Sequence, residues 1–344
     1  MNAILRFRYL PKIPILGVMV TLSTMTFSMP GASADEMKFA ASAIGRPPIF
    51  SNNFVDVGQA KGYWKKAGLD MSFRWFQRGT DTAKAVVTGD VQVGFTATPP
   101  AVNLIASGAP IVAIAAMPNQ DWLIASNEVK SCQDLKGKTI AADGINNART
   151  LFLEEVLRSC GVKLSEVKHI DLANQPLVKA AIAGQVNHGV WHIDELAQVE
   201  HKTGKKWALI PMPKDIYAGL HYAVVLASKK AIAENREGVI RFLMGWIQTQ
   251  RLMSSKKAED VNDFAKIASE GSQIDLAVAK SSIEAFQKLP YWVNDDGLNE
   301  KQLMAQVDQL VKVGVMKAEN RPSYSKIVDK SLYAEAAKRV AKLK

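Results

Sequence analysis

A pattern between Lys84 and Thr96 returns between Lys179 and Trp191, and this duplication restricts the chain to folds built from two similar halves. In each copy a short apolar helix runs into a glycine, Gly89 or Gly184, whose freedom to adopt the left-handed conformation ends a helix at little cost. A few alternating residues follow as a short strand, which a second glycine, Gly94 or Gly189, is expected to stop. Upstream, each copy is preceded by strand, helix, glycine stop and strand. These are Met37 to Ala43 and Met71 to Phe76 around the first helix, and Thr139 to Ala142 and Val167 to Leu172 around the second. Strand, helix, strand, helix, strand, written twice, predicts two small, mainly parallel sheets flanked by helices, hence a two-lobed α/β protein. In open sheets of this kind ligands collect beyond the carboxyl ends of the strands, so the strand-tip loops of both lobes are expected to face one cleft.

The rest of the chain fits around that duplication. Trp122 to Ser126 and Tyr222 to Ser228 are both extended, apolar and closed by Ala-Ser, and they bracket the second copy. They are the candidates for two strands that cross between lobes and act as a hinge. The expected domains are therefore 35–124 with 223–344 as the first lobe and 125–222 as the second. Beyond Lys229 helical periodicity prevails, and these helices should pack on the first lobe.

Arg6, Arg8 and Lys12 precede an apolar run from Ile13 to Met29 that closes on Ala32-Ser33-Ala34. This reads as a secretory signal cut after Ala34, which places the mature chain in the periplasm. Cys132 and Cys160 are then most simply a disulfide, two free buried thiols being the alternative. The net charge of +10 is spread over the C-terminal helices without a basic stripe interleaved with aromatics, which argues against nucleic-acid binding.

No nucleophile elbow is present, and Gly137-Lys138-Thr139 lacks the upstream glycine of a phosphate loop, Cys132 standing in its place. The spacing of His188, His192 and Asp194 would suit a metal, but the repeat places His188 inside a strand and His192 past its end. No metal, cofactor or catalytic residue is assigned. The candidates are binding residues. Asn52 and Thr80 lie at helix starts and Thr96 and Thr98 at a strand tip, where hydroxyls, amides and backbone N–H groups are offered. Arg46, Arg78 and Arg149 sit beside strand ends, where any one can pair an anion bidentately, the alternative for each being a solvated surface position. Trp191 either covers an organic ligand or is a core tryptophan, and His192 can stand as a hydrogen-bonding wall.

Three stretches, Lys61-Gly62-Tyr63-Trp64-Lys65-Lys66-Ala67-Gly68-Leu69, Gly89-Asp90-Val91-Gln92-Val93-Gly94 and Asp134-Leu135-Lys136-Gly137-Lys138-Thr139-Ile140, together resemble the nitrate, sulfonate and taurine class of periplasmic solute-binding proteins. The resemblance spans essentially the whole mature chain. It implies a type II, Venus-flytrap fold, a small anionic ligand, and delivery to the permease and ATPase subunits of an ABC importer by a monomer. Carried over, the ligand loops match Ser51-Asn52, Gly79-Thr80, Thr96-Ala97-Thr98, Asn147 to Thr150 and Trp191-His192. This sequence departs from the sulfonate binders at Thr98-Pro99-Pro100, where a proline replaces a serine, and at His192 and Asp194. Asp194 would suit an amine, as in an amino-sulfonate. An aromatic carboxylate, a thiamine-pyrimidine precursor and a sensor role are the alternatives, and enzymes of the same fold lack the export signal.

Overall fold

The computed structural model describes residues 36–145, 147–213, 216, 220–289 and 291–343. The signal segment and its cleavage after Ala34 lie outside the described residues.

Each half builds one five-stranded sheet, and the two have the same plan. In the first, β1 (Met37–Ile44) pairs in parallel with β2 (Leu69–Phe76) and β3 (Val93–Ala97). Strand β10 (Ala223–Ser228) runs antiparallel between β3 and β4 (Ile111–Met117), giving the order β2-β1-β3-β10-β4. In the second, β6 (Thr139–Ala142) pairs in parallel with β7 (Lys168–Asp171) and β8 (His188–Trp191). Strand β5 (Leu123–Ser126) lies antiparallel between β8 and β9 (Ala208–Leu209), giving β7-β6-β8-β5-β9. The duplication in the sequence is thus a duplication of topology, and each sheet carries one reversed strand.

That reversed strand corrects the expected crossing. Neither Trp122 to Ser126 nor Tyr222 to Ser228 spans the lobes, because β5 and β10 are each paired along their length within a single sheet. The chain passes between lobes just before them. There the Tyr222 amide donates to the Pro118 carbonyl (2.9 Å) and the Thr98 amide to the Tyr222 carbonyl (2.9 Å), so the two connections are tied to each other and to the first sheet.

The two glycines of each repeat do different work. Gly89 (φ +82°) and Gly184 (φ +73°) are left-handed helix stops, as expected. Gly94 and Gly189, expected to end their strands, lie inside β3 and β8. A Cβ on Gly94 would come 2.5 Å from Ser42 Oγ and 2.7 Å from Val86. Its bareness lets α3 (Gly79–Thr88) close onto the sheet.

The helices after β10 are α8 (Lys229–Glu234), α9 (Arg236–Met253), α10 (Ala258–Ser272), α11 (Leu276–Gln287), α12 (Glu300–Lys312), α13 (Tyr324–Ile327) and α14 (Ser331–Ala341). They pack on the first lobe, α9 against α1 (Phe54–Ala60) and α2 (Tyr63–Lys66), and α12 against α4 (Thr98–Ala106). Trp64 is the plug of this layer. Its ring fits notches left by Gly58 and Gly245, where a Cβ would come within 2.3 Å and 2.2 Å, and its indole donates to the Phe242 carbonyl at 3.0 Å. Helix α11 also reaches across to α7 (Ile193–Thr203) of the second lobe. Cys132 and Cys160 are joined as a disulfide, which ties the turn before β6 to the end of α5 (Ala148–Ser159).

Candidate functional site

Strand tips of both sheets enclose a cavity of about 330 Å³. From the first lobe come Ile44 and Phe95 beside their strand ends, Asn52, Gln77, Arg78, Gly79 and Pro100; from the second come Asp143, Asn147, Arg149, Asp171, Leu172, Asn174 and His192. Trp122 and Tyr222, at the two connections between lobes, close its back and meet edge to face at 5.5 Å.

The charges inside are already spoken for. Arg149, 3% exposed, makes a bidentate pair with the fully buried Glu195, at 2.7 Å and 3.0 Å, and also donates to the Val190 carbonyl and to Asn174 Oδ1. Burial alone would raise the Glu195 carboxyl, but the Arg149 charge, its hydrogen bonds and the contacts with His192 together hold the group below the usual carboxylate range. Arg46 pairs with Asp56 at 2.9 Å and lies 4.7 Å from the Trp75 ring centre, outside the cavity lining. Arg78 reaches across the cleft to Asp171 of the second lobe at 2.8 Å. Each of the three candidate arginines thus has a carboxylate partner, and that of Arg78 lies on the opposite lobe.

Helix starts differ between the lobes. A helix N-terminus attracts anions through its free amides and dipole. At α5 that seat is filled from within. Asp143 accepts from the amides of Arg149 (3.4 Å) and Thr150 (3.0 Å) and from the Thr150 hydroxyl. Burial pushes the Asp143 carboxyl above its ordinary value despite the opposing Arg149 charge. At α3 the amides of Asp81 and Thr82 turn back to the Arg78 carbonyl, whereas those of Gly79 and Thr80 have no partner among the described residues. The cleft is consequently polarised. Arg78 and the α3 amides form a positive end in the first lobe. Asp171 and Asp143, with Glu195 and Asp121 close behind, form a negative end in the second.

Six of the expected residues, Asn52, Arg78, Gly79, Asn147, Arg149 and His192, come together in this cavity. The others whose side chains are described do not line it. Thr96 is buried and donates to the Gly79 carbonyl (2.8 Å), fixing the start of α3. Thr98 turns to His221 Nδ1 (2.7 Å), and Thr150 to Asp143 and His169. Trp191 is fully buried against Trp207, and Asp194 is buried outside the cavity lining. The Ser51 side chain lies outside the described residues. Asn52 and Asn53 do not cap α1: Asn52 Oδ1 accepts from the Ile44 amide, and Asn53 bonds Ser272.

His192 lines the cavity without a nitrogen to offer. The Trp122 indole donates to its Nε2 (3.1 Å), so the proton sits on Nδ1 and is donated to Asp121 (2.7 Å). This chain of Asp121, His192 and Trp122 fixes the aromatic wall. His188 stands at the other end of β8, bonded to Ser126 and Glu128, and shares no ligand with His192. The wall residues Trp122 and Tyr222 and the acids Asp143 and Asp171 were missed. The signal was there: Asp143 directly follows β6, and Asp171 ends β7.

Two five-stranded α/β sheets with strand tips converging on one cleft define the two-lobed periplasmic-binding-protein fold. A family model described as NMT1/THI5 like matches residues 53–256, and the chain belongs to that family. It is similar to a binding protein of Brucella abortus, 27% identical over 267 residues, which cover 77% of this chain and 79% of the relative. It is also similar to the taurine-binding periplasmic protein of Escherichia coli, 26% identical over 140 residues, covering 39% and 43%. Among solved structures, the alkanesulfonate-binding protein of Xanthomonas axonopodis bound to MOPS superposes with a TM-score of 0.66 at 15% identity, over 88% of this chain and 98% of that one.

Proposed function

We propose that this chain is the periplasmic, monomeric solute-binding component of an ABC importer, and that its solute is a small organic zwitterion carrying an acidic group and an ammonium, as an aminosulfonate does. The observation that carries this reading is the Arg78–Asp171 pair, 2.8 Å apart and joining the lobes across the cavity. Both side chains are about half exposed, 57% and 47%, so the pair itself holds the lobes together only weakly. A short zwitterion replaces that one internal pair with two intermolecular ones. Its acid group takes Arg78 and the open α3 amides, and its ammonium takes Asp171 beside Asp143.

Size and charge set the other candidates aside. About 330 Å³ falls in the roughly 300–1,000 Å³ range of organic-ligand pockets, far more than nitrate fills. A plain anion, aliphatic or aromatic, would satisfy Arg78 and leave Asp171 unpaired in a closing, desolvated site. Trp122, Tyr222 and Phe95 supply the apolar wall for the body of the solute. Closure is driven by contacts that only the closed form makes, here those from the second lobe.

Thermal-shift and calorimetric titrations with taurine, MOPS, ethanesulfonate, ethylamine, benzoate and nitrate at matched ionic strength test this, since a solute that binds only the folded state raises its melting temperature. Zwitterions should bind at least tenfold tighter than ethanesulfonate, and Asp171→Asn should erase that preference. Plain anions binding as tightly as zwitterions would refute the assignment of solute class. Failure of every probe would count against the binding role itself.

A further inference from the structure

Asp194, expected in the ligand set, sits instead at the seam between lobes. It occupies the second position of α7 and is 1% exposed, outside the cavity lining. Neither carboxylate oxygen reaches good hydrogen-bonding geometry with a partner among the described residues, and the backbone amides near it are its own and that of Phe50. The groups around it make a charge there costly. Glu195 on its own helix and Asp121 on the connection between lobes are both carboxylates. The groups that satisfy them are directed elsewhere, the Arg149 charge to Glu195 and the neutral His192 Nδ1–H to Asp121. What the first lobe turns towards Asp194 is the backbone amide of Phe50, in the short 3-10 turn Phe50–Asn52.

We propose that closing the clamp takes up one proton onto Asp194, so that solute capture and protonation at this seam occur together. This rests on the two-lobed clamp reading given above. When the lobes part, the Phe50 turn withdraws and water reaches the carboxylate, which ionises at an ordinary carboxylate value. When they meet, the carboxyl is shut away from water beside two other acids and is neutral. The proton comes from solvent and returns to it on opening, with no other reactant. Burial, and after it the Glu195 and Asp121 charges, pushes the closed-state carboxyl well above its ordinary value. The sign follows: a group that binds its proton more tightly in the closed form favours that form as pH falls. One linked proton changes the closing equilibrium by up to tenfold per pH unit between the two values. Isolated buried carboxylates neutralise rather than stay charged, which is the general cause.

Two measurements on the full mature chain decide it. Infrared spectra at pH 5, where the closed form is expected to prevail, should show a protonated-carboxyl band that is lost in Asp194→Asn, and absence of that difference overturns the proposal. Small-angle scattering of the solute-free protein between pH 8 and pH 5 should show wild type becoming more compact as pH falls, while Asp194→Asn stays compact throughout. Asp194→Ala, which leaves no polar group to bury, should behave as the asparagine variant does and guards against a poorly packed amide. An identical scattering response in wild type and both variants refutes the coupling even where the infrared band is present. Loss of the binding role would show separately, as a solute panel in which nothing binds to any variant.

Discussion

Replacing Arg149 with methionine separates two roles that the strand-tip position of this arginine allows. If Arg149 is the partner of Glu195, its removal leaves a carboxylate of 0% exposure without its counter-charge and without two hydrogen bonds. Breaking a buried pair by removing one member costs about 3–5 kcal/mol. At about 2.1 cal/mol/K of unfolding entropy per residue, a chain of this length loses roughly 1.5 °C per kcal/mol, so the melting temperature should fall by about 5–8 °C. The Arg149→Met/Glu195→Leu double variant should recover most of that loss, because two apolar groups of similar volume relieve the site of its unpaired charge. Arg149→Lys should lie between, since an ammonium cannot hold both Glu195 oxygens in the planar fork that guanidinium provides. Differential scanning calorimetry at pH 7 on the four proteins is the assay. A single Arg149→Met variant that melts within 2 °C of wild type yet loses all solute binding would refute the reasoning and return Arg149 to the ligand.

His221 and the disulfide give two further tests. Burial lowers the His221 imidazole to about 4, below its value in the unfolded chain. It therefore contributes stability that is fully present above about 6.5 and is lost as pH falls towards 4, roughly 3 kcal/mol in all. His221→Gln should flatten that acid limb in urea titrations relative to wild type, the Asp194 contribution of opposite sign cancelling in the comparison; an unchanged slope would count against it. Reducing Cys132–Cys160, a separation of 28 residues, should cost about 3–4 kcal/mol in the chain-entropy account. A melting temperature unmoved by reductant, with both thiols then alkylated, would contradict this.

The periodic features were legible and the directional ones were not. Helix-stop glycines, alternating strands and the doubled unit are local, so Gly89 and Gly184 mark the architecture in the sequence itself. Which face a strand-tip residue presents depends on a single step of the pleat. Trp191 and His192 are neighbours, yet the first goes into the core against Trp207 and the second lines the cleft. The arginines' partners were hidden for another reason. For Arg78 and Arg149 the carboxylate lies far away in sequence, at Asp171 and Glu195, with nothing near the arginine to announce it, whereas Asp56 lies ten residues from Arg46. Asp143 was within reach, since an acid directly after a strand and shortly before a helix is a natural occupant of that helix's free amides.

The position of β10 has a bearing on how the molecule comes into being. It is inserted between β3 and β4, yet it is made only after the entire second lobe. A nascent chain therefore holds two apolar strands with exposed edges while more than a hundred residues are still to be added, and such edges are templates for association with other chains. The second lobe is contiguous and can complete itself first; the earlier half is finished last, when residues 223–228 slot into the gap that has been kept for them.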